Sequence, residues 1–242
     1  MKETLEEEFR MRWFVLTATM ILAGCVSPVE MPQAPRPVVV GAAPVTAQIT
    51  PRSFSQVVDR VEPVAEQECR MRRPRANCDF QIVVDNRPGQ PANAYQTLDR
   101  SGRPIIGFTV ALLNDMSNTD ELAFVMAHEA AHHIADHIPR QQQNAAAGAV
   151  IFAGLASLTG ADINAVRSAQ ELGATVGART YSKEFELEAD ALGTVLAARA
   201  GFNPVRGAEF FNRIPDPGDR FLGSHPPNAA RLETVRRVAA GL

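Results

Sequence analysis

Apolar positions along the chain mark out a series of short, unlike elements. Phe54, Val57, Val58, Val61, Val64 and Ala65 recur at helical spacing up to Cys69, in a run that Pro63 is expected to bend. Asp79 to Val84 reads as a strand, closed by the turn Asn86-Arg87-Pro88-Gly89. Ala94 to Leu98 reads as a second strand. Beyond the hairpin turn Asp99-Arg100-Ser101-Gly102, Arg103 to Leu113 reads as a third. The three are expected to pair antiparallel. Leu122, Val125 and Met126 open a helical stripe over Thr119 to Ile138, capped by Asn118 and Thr119, with Asp120 and Glu121 at its positive end and Pro139 as its stop.

Gln141 to Ser157 and Ala161 to Gly177 form an Ala-rich α-hairpin. Its apolar run, Ala149 to Leu158, falls short of the ~20 residues a membrane span needs. It is expected either to pack on the domain or to touch a lipid surface, and its glycines imply close helix contacts or mobility. Tyr181 to Gly193 is a further helix. Gly201-Phe202-Asn203-Pro204 separates it from Pro204 to Ile214, and Asn228 to Ala240 closes the chain. The class is α+β, mainly helical, with a small three-stranded antiparallel sheet.

Four of the five histidines (His128, His132, His133 and His137) fall between Ala127 and His137. Positions four apart stand one above the other on a helix, so His128 and His132 can direct both imidazoles at one ion. Glu129 lies one step round, where a carboxylate reaches a water on the metal and can act as general base. His133 and His137 sit roughly 140° and 180° round from His128 and are expected to face away as packing or capping residues. The same helix-face argument pairs Glu186 with Asp190. Glu186 is expected to complete a His₂Glu zinc site, and Asp190 to accept the free N–H of His128. Glu184 and Glu188 read as a solvated face, whereas Phe185, Leu187, Ala189 and Leu192 argue that the helix is largely buried.

The net charge of −3 predicts no nucleic-acid partner. Arg10 and Arg12 precede an apolar run from Trp13 to Gly24, the length of a signal-peptide core, ending in Leu22-Ala23-Gly24-Cys25. That tetrapeptide resembles a bacterial lipobox, which implies residues 1–24 as a lipoprotein signal peptide and lipid on Cys25, with an ordinary cleaved signal as the alternative. The acidic leader Lys2 to Glu8 suits a signal poorly, which leaves Met11 as an alternative start to Met1. Val26 rather than Asp after Cys25 favours the periplasmic face of the outer membrane over the inner. Six prolines between Ser27 and Pro51 make residues 25–51 an extended tether, leaving 52–242 as the folded domain. Cys69 and Cys78 then remain as an even pair in an oxidising compartment, where a disulfide is expected; with no His or further Cys nearby they suit zinc poorly.

His-Glu-x-x-His at His128 to His132, with Glu-x-x-x-Asp-x-x-Gly at Glu186 to Gly193, resembles metallopeptidase family forty-eight, the gluzincins. Asn93-Ala94-Tyr95, Gly102, His137, Ser224-His225-Pro226-Pro227 and Arg231 extend the resemblance over roughly Asp79 to Val238. It implies a zincin-like domain with one Zn²⁺ per chain. Where membrane-embedded members carry spans, this chain has only the short hairpin, as in the small periplasmic lipoprotein members. On this reading zinc sits on His128, His132 and Glu186, with Glu129 as base. His225 is a donor to the developing oxyanion or a fourth zinc ligand, and Arg231 orients substrate or pairs with an acidic group. A peptide is expected to add to an edge strand, Arg103 to Val110, at Ile106 and Gly107, near Asn93. The implied activity is endoproteolysis of misfolded or stalled envelope proteins. A zinc-bound chaperone-like lipoprotein plugged by His225, or an inert scaffold, are the alternatives.

Overall fold

In the computed structural model, described for residues 49–180, 182–218, 223 and 225–242, the fold begins at Ile49, which is buried, and Thr50, whose hydroxyl accepts from Ser53 N. That cap and Pro51 start α1 (Pro51–Arg72), in which Pro63 is accommodated without ending the helix. The folded domain therefore starts slightly ahead of residue 52. The proposed signal peptide, Cys25 and nearly all of the tether lie outside the described residues. Cys69, at the end of α1, and Cys78 are joined in a disulfide.

The strands are β1 (Gln81–Asp85), β2 (Ala94–Leu98) and β3 (Pro104–Thr109), in the spatial order β1-β3-β2. The sheet is mixed rather than antiparallel: β2 pairs antiparallel with β3, but β1 runs parallel to it. The cause is the connection from Asn86 to Asn93, which carries the chain past the place β3 will fill, so the tight Asp99–Gly102 turn folds β3 back between its two neighbours. The third strand is also shorter than its apolar run. At Thr109 the hydroxyl accepts from Leu112 N and turns the chain into the short helix α2 (Val110–Asp115).

Asn118 caps α3 (Thr119–Ile134) by accepting from Asp120 N and Glu121 N. This helix stops four residues earlier than its periodicity suggests. Asp136 takes a left-handed conformation (φ 62°), and a new helix, α4 (His137–Leu158), starts immediately after it. Pro139 consequently sits in the first turn of α4 and does not terminate α3.

The α4 helix folds back on α5 (Ile163–Thr180). Three of their glycines serve close approach: a Cβ on Gly148 would lie 2.1 Å from Gly173 O, and one on Gly177 would lie 2.1 Å from Asn144 O. The hairpin leaves Val150, Leu158 and Ile163 exposed, and no helix among the described residues is long and apolar enough to cross a membrane. The remaining elements are α6 (Ser182–Arg199), α7 (Pro204–Ala208), a 3₁₀ turn (Glu209–Asn212) and α8 (Asn228–Ala239). Phe80, Ile106, Phe108, Leu122, Phe124, Met126 and Leu196 form the heart of the core, where α3 packs between the sheet, α1 and α6.

Candidate metal centre

The packing of α3 on α6 assembles the site. His128 and His132 project from one face of α3, with Nε2 atoms 3.0 Å apart. Glu186, in the first turns of α6, brings Oε2 to 3.5 Å from His128 Nε2 and Oε1 to 3.5 Å from His132 Nε2. Among the described residues these three alone form a group of His, Cys, Asp or Glu donors able to share an ion, all within 4.8 Å of one another. The spacing fits a metal: tetrahedral bonds of about 2.0–2.1 Å give ligand–ligand edges of roughly 3.3 Å. Two nitrogens and one oxygen are also a donor set that suits zinc and leaves a position open.

Behind the donors, Asp190 is fully buried on α6 and holds Oδ1 3.0 Å from His128 Nδ1. Arg231, from α8, donates to both Asp190 oxygens, Nε to Oδ2 at 2.8 Å and Nη2 to Oδ1 at 2.7 Å, and lies over the Phe211 ring. The same Nη2 is 3.5 Å from Glu186 Oε2. Arg231 thus pairs with an acidic group, the second of the two roles expected of it. His225, half-exposed ahead of α8, also reaches the centre and places Nδ1 3.1 Å from Glu186 Oε2.

The charges are strongly coupled. Burial alone would lower the His128 pKa, but its hydrogen bonds to Asp190 and Glu186 hold it up to about 9. Burial and the nearby His128 charge push His132 down to about 3. Glu186 is itself desolvated, yet its partners His128 and His225 keep it well below the usual carboxylate range. Burial raises Glu129 to about 7; Glu186 adds to that rise, and His128 opposes it.

Of the other two clustered histidines, His133 faces away as expected, with Nε2 2.8 Å from Asn77 O and its ring edge-on to Phe80. His137 does not. The left-handed Asp136 resets the helix azimuth, so His137 swings back and sets Nδ1 2.8 Å from Nδ1 of His132. Its Nε2 lies 3.2 Å from Glu188 Oε2, so Glu188 is partnered rather than simply solvated. Glu184 is exposed.

The edge-strand expectation needs correction. β3 is paired on both sides and fully buried, so Ile106 and Gly107 cannot receive a peptide, and Gly107 instead makes room for the Tyr95 ring. The strand with a free edge beside α3 is β2, and its Gln96 lines the cleft. Asn93 lines the cleft on the other side of the centre, its N–H donating to Thr109 Oγ1.

The model of Peptidase family M48 matches residues 51–239 of this sequence, spanning every element just described. The chain belongs to peptidase family M48. Relatives include the beta-barrel assembly-enhancing protease of Escherichia coli O157:H7, 30% identical over 151 residues that make up 53% of this chain and 29% of that protein. Another is the mitochondrial metalloendopeptidase OMA1 of Saccharomyces cerevisiae, 27% identical over 169 residues, 65% of this chain and 46% of that protein. The chain thus spans less than half the length of either relative.

In this M48 domain the centre lies where two cavities meet. Glu129, His132, Glu186 and His225 border both. The larger, about 530 Å³, is walled by Leu112, Phe124, Val125, Phe210 and Ile214; the smaller, about 280 Å³, by Gln96, Gln141, Ser182 and Phe185.

Proposed function

We propose that this protein is a zinc-dependent endopeptidase of the bacterial envelope, tethered through lipid on Cys25 to the periplasmic face of the outer membrane, with misfolded or stalled envelope proteins as substrates and no nucleic-acid role. The observation that carries the catalytic part is the placement of Glu129, a half-buried carboxylate at the junction of two cavities, beside the His128, His132 and Glu186 donors. When bound, zinc would polarise the scissile carbonyl and lower the pKa of a water toward ~7.

The chain's own residues do the rest. Glu129 takes the proton of the attacking water and returns it to the leaving amine. His225 donates toward the oxygen that gains charge. Asp190 fixes His128 with Nδ1–H turned to the carboxylate, which leaves Nε2 to the donor group it shares with His132 and Glu186. β2 offers main-chain groups along its open edge, which recognises extended backbone rather than a set sequence. That suits unfolded substrates, as does the name of the E. coli relative, a protease that enhances β-barrel assembly. The envelope location rests on the lipobox at Leu22 to Cys25.

The test is cleavage of casein and of an unfolded outer-membrane protein by the purified chain, wild type beside Glu129→Gln, with zinc content measured on both. Cleavage that disappears in a variant still holding one zinc supports the reading. A wild type without stoichiometric zinc, or equal activity in both, overturns it.

A further inference from the structure

His128 Nδ1 has a buried carboxylate, Asp190, to fix its ring; His132 Nδ1 faces another imidazole instead. In place of that carboxylate stands a chain of three side chains. His132 Nδ1 lies 2.8 Å from His137 Nδ1, His137 Nε2 lies 3.2 Å from Glu188 Oε2, and Arg140 Nη1 donates to the same Glu188 oxygen at 2.8 Å. The His137 ring is held in place from the side, stacked at 11° on Phe185, which also meets the Arg140 guanidinium, 4.3 Å from the ring centroid.

The protons along this chain have one consistent arrangement. An ionised carboxylate only accepts, so the hydrogen between Glu188 and His137 belongs to His137 Nε2. A neutral His137 then has a bare Nδ1, which accepts, so the hydrogen between the two rings belongs to His132 Nδ1. That leaves His132 Nε2 with its lone pair free, directed at His128 and Glu186.

We infer that Glu188 and His137 form a relay that sets the tautomer of His132, doing for this ligand through an intervening imidazole what Asp190 does directly for His128. His137 is therefore a positioning residue, placed for the task by the left-handed turn at Asp136. The relay also joins the centre to the base of the α4–α5 hairpin, because His137 and Arg140 both belong to the first turn of α4. The inference rests on the zinc reading above, and its test separates the two.

The experiment uses the full-length protein and zinc itself. Histidine ¹⁵N spectra of the metal-free protein report the His132 tautomer, and competition with a chelator of known affinity reports zinc binding. Wild type is expected to show His132 as the Nδ1–H form. His137→Phe keeps the stack on Phe185 but removes both nitrogens. It is expected to lose 10- to 100-fold in zinc affinity, as removal of groups that orient metal ligands typically does, and to lose the Nδ1–H signature. His137→Gln, whose amide oxygen can accept from His132, should recover part of the loss. Glu188→Ala alters a half-exposed side chain and repeats the test should the Phe variant not fold. An Nε2–H tautomer at His132 in metal-free wild type, or variants that bind zinc within twofold of wild type, would overturn the relay. A wild type that binds no zinc would instead overturn the proposed function.

Discussion

Gly193 on α6 faces the backbone of His128 on α3: a Cβ at this glycine would stand 3.0 Å from both the N and the Cα of His128. The absent side chain lets the two helices close until Glu186, two turns earlier on α6, meets the His128 and His132 rings. The backbone of His128 cannot yield as a flexible side-chain end would. Gly193→Val should therefore push the helices apart, cost about 1–3 kcal/mol of stability by overpacking, and weaken zinc binding more than stability alone explains. Urea unfolding of the metal-free protein and zinc competition on the folded fraction check both parts. Unchanged zinc affinity in a folded Val variant would show that the helix spacing does not govern the centre.

Metal affinity should depend on pH in two regimes. In the metal-free protein His128 titrates at about 9 and Glu129 at about 7, while His132, at about 3, is already neutral. A ligand must shed its proton to bind metal. Between pH 9 and 7, zinc binding therefore releases the His128 proton, and apparent affinity falls by at least about tenfold per unit of acidification, since a zinc-bound water would shed a further proton above ~7. Below 7 the metal-free Glu129 is protonated as well. A neighbouring dication would depress that carboxyl, so its proton is displaced there in place of the water's. Isothermal titration in buffers of different ionisation enthalpy counts these protons directly; a count of zero at pH 8 would contradict the assignment of His128 as the charged imidazole.

Much of the centre was legible because it follows from helix geometry alone. His128, Glu129 and His132, and again Glu186 and Asp190, share faces by spacing, whatever the rest of the fold does. What periodicity could not carry was any place where the backbone changes direction. One left-handed residue, Asp136, rotates His137 from the far side of the helix onto His132, and an Asp before a His looks no different from any other helical position. Glu188 is exposed as read, but its partners His137 and Arg140 lie about fifty residues earlier in the chain, where spacing along its own helix could not show them. The order of the strands escaped for a similar reason: the Asn86 to Asn93 connection is long enough to reach either side of β1, and only tertiary packing selects the far one.

The Asp190 and Arg231 pair is buried, and each is the other's two-pronged partner. Arg231→Leu leaves the carboxylate with His128 as its sole charged partner and should destabilise the metal-free protein by about 3–5 kcal/mol. Arg231→Lys keeps the charge but loses the two-pronged geometry that reaches both Asp190 oxygens, so it should restore only part of the stability. Equilibrium urea unfolding measures both; a Leu variant as stable as wild type would mean that Asp190 takes up a proton at little cost.

The Cys69–Cys78 disulfide closes a short loop, with a sequence separation of 9. Chain-entropy arguments assign such a loop about 2–3 kcal/mol, gained by restricting the unfolded chain. The double variant Cys69→Ala, Cys78→Ala should accordingly unfold at lower urea, yet retain its zinc content, since no cysteine belongs to the donor group. Zinc loss in a variant that remains folded would tie this loop to the centre.

The two cavities that meet at Glu129 differ in size, about 530 Å³ against about 280 Å³, and that difference should appear in the cleavage sites. Leu112, Phe124, Val125, Phe210 and Ile214 wall the larger one, whereas Gln96, Ile138, Gln141 and Phe185 line the smaller. A substrate spanning both would bury a large apolar side chain on one side of the scissile bond only. Each methylene so accommodated is worth about 1–3 kcal/mol of transition-state binding, a preference of roughly 10- to 200-fold in kcat/KM. Sequencing the fragments of unfolded protein digests should therefore show large apolar residues enriched at one flanking position and no such enrichment at the other. Val125→Phe, which shrinks the larger cavity, should move that preference toward smaller side chains and leave the other flank unchanged. Fragments with no apolar bias, or a bias unmoved by Val125→Phe, would mean that substrate does not enter this cavity.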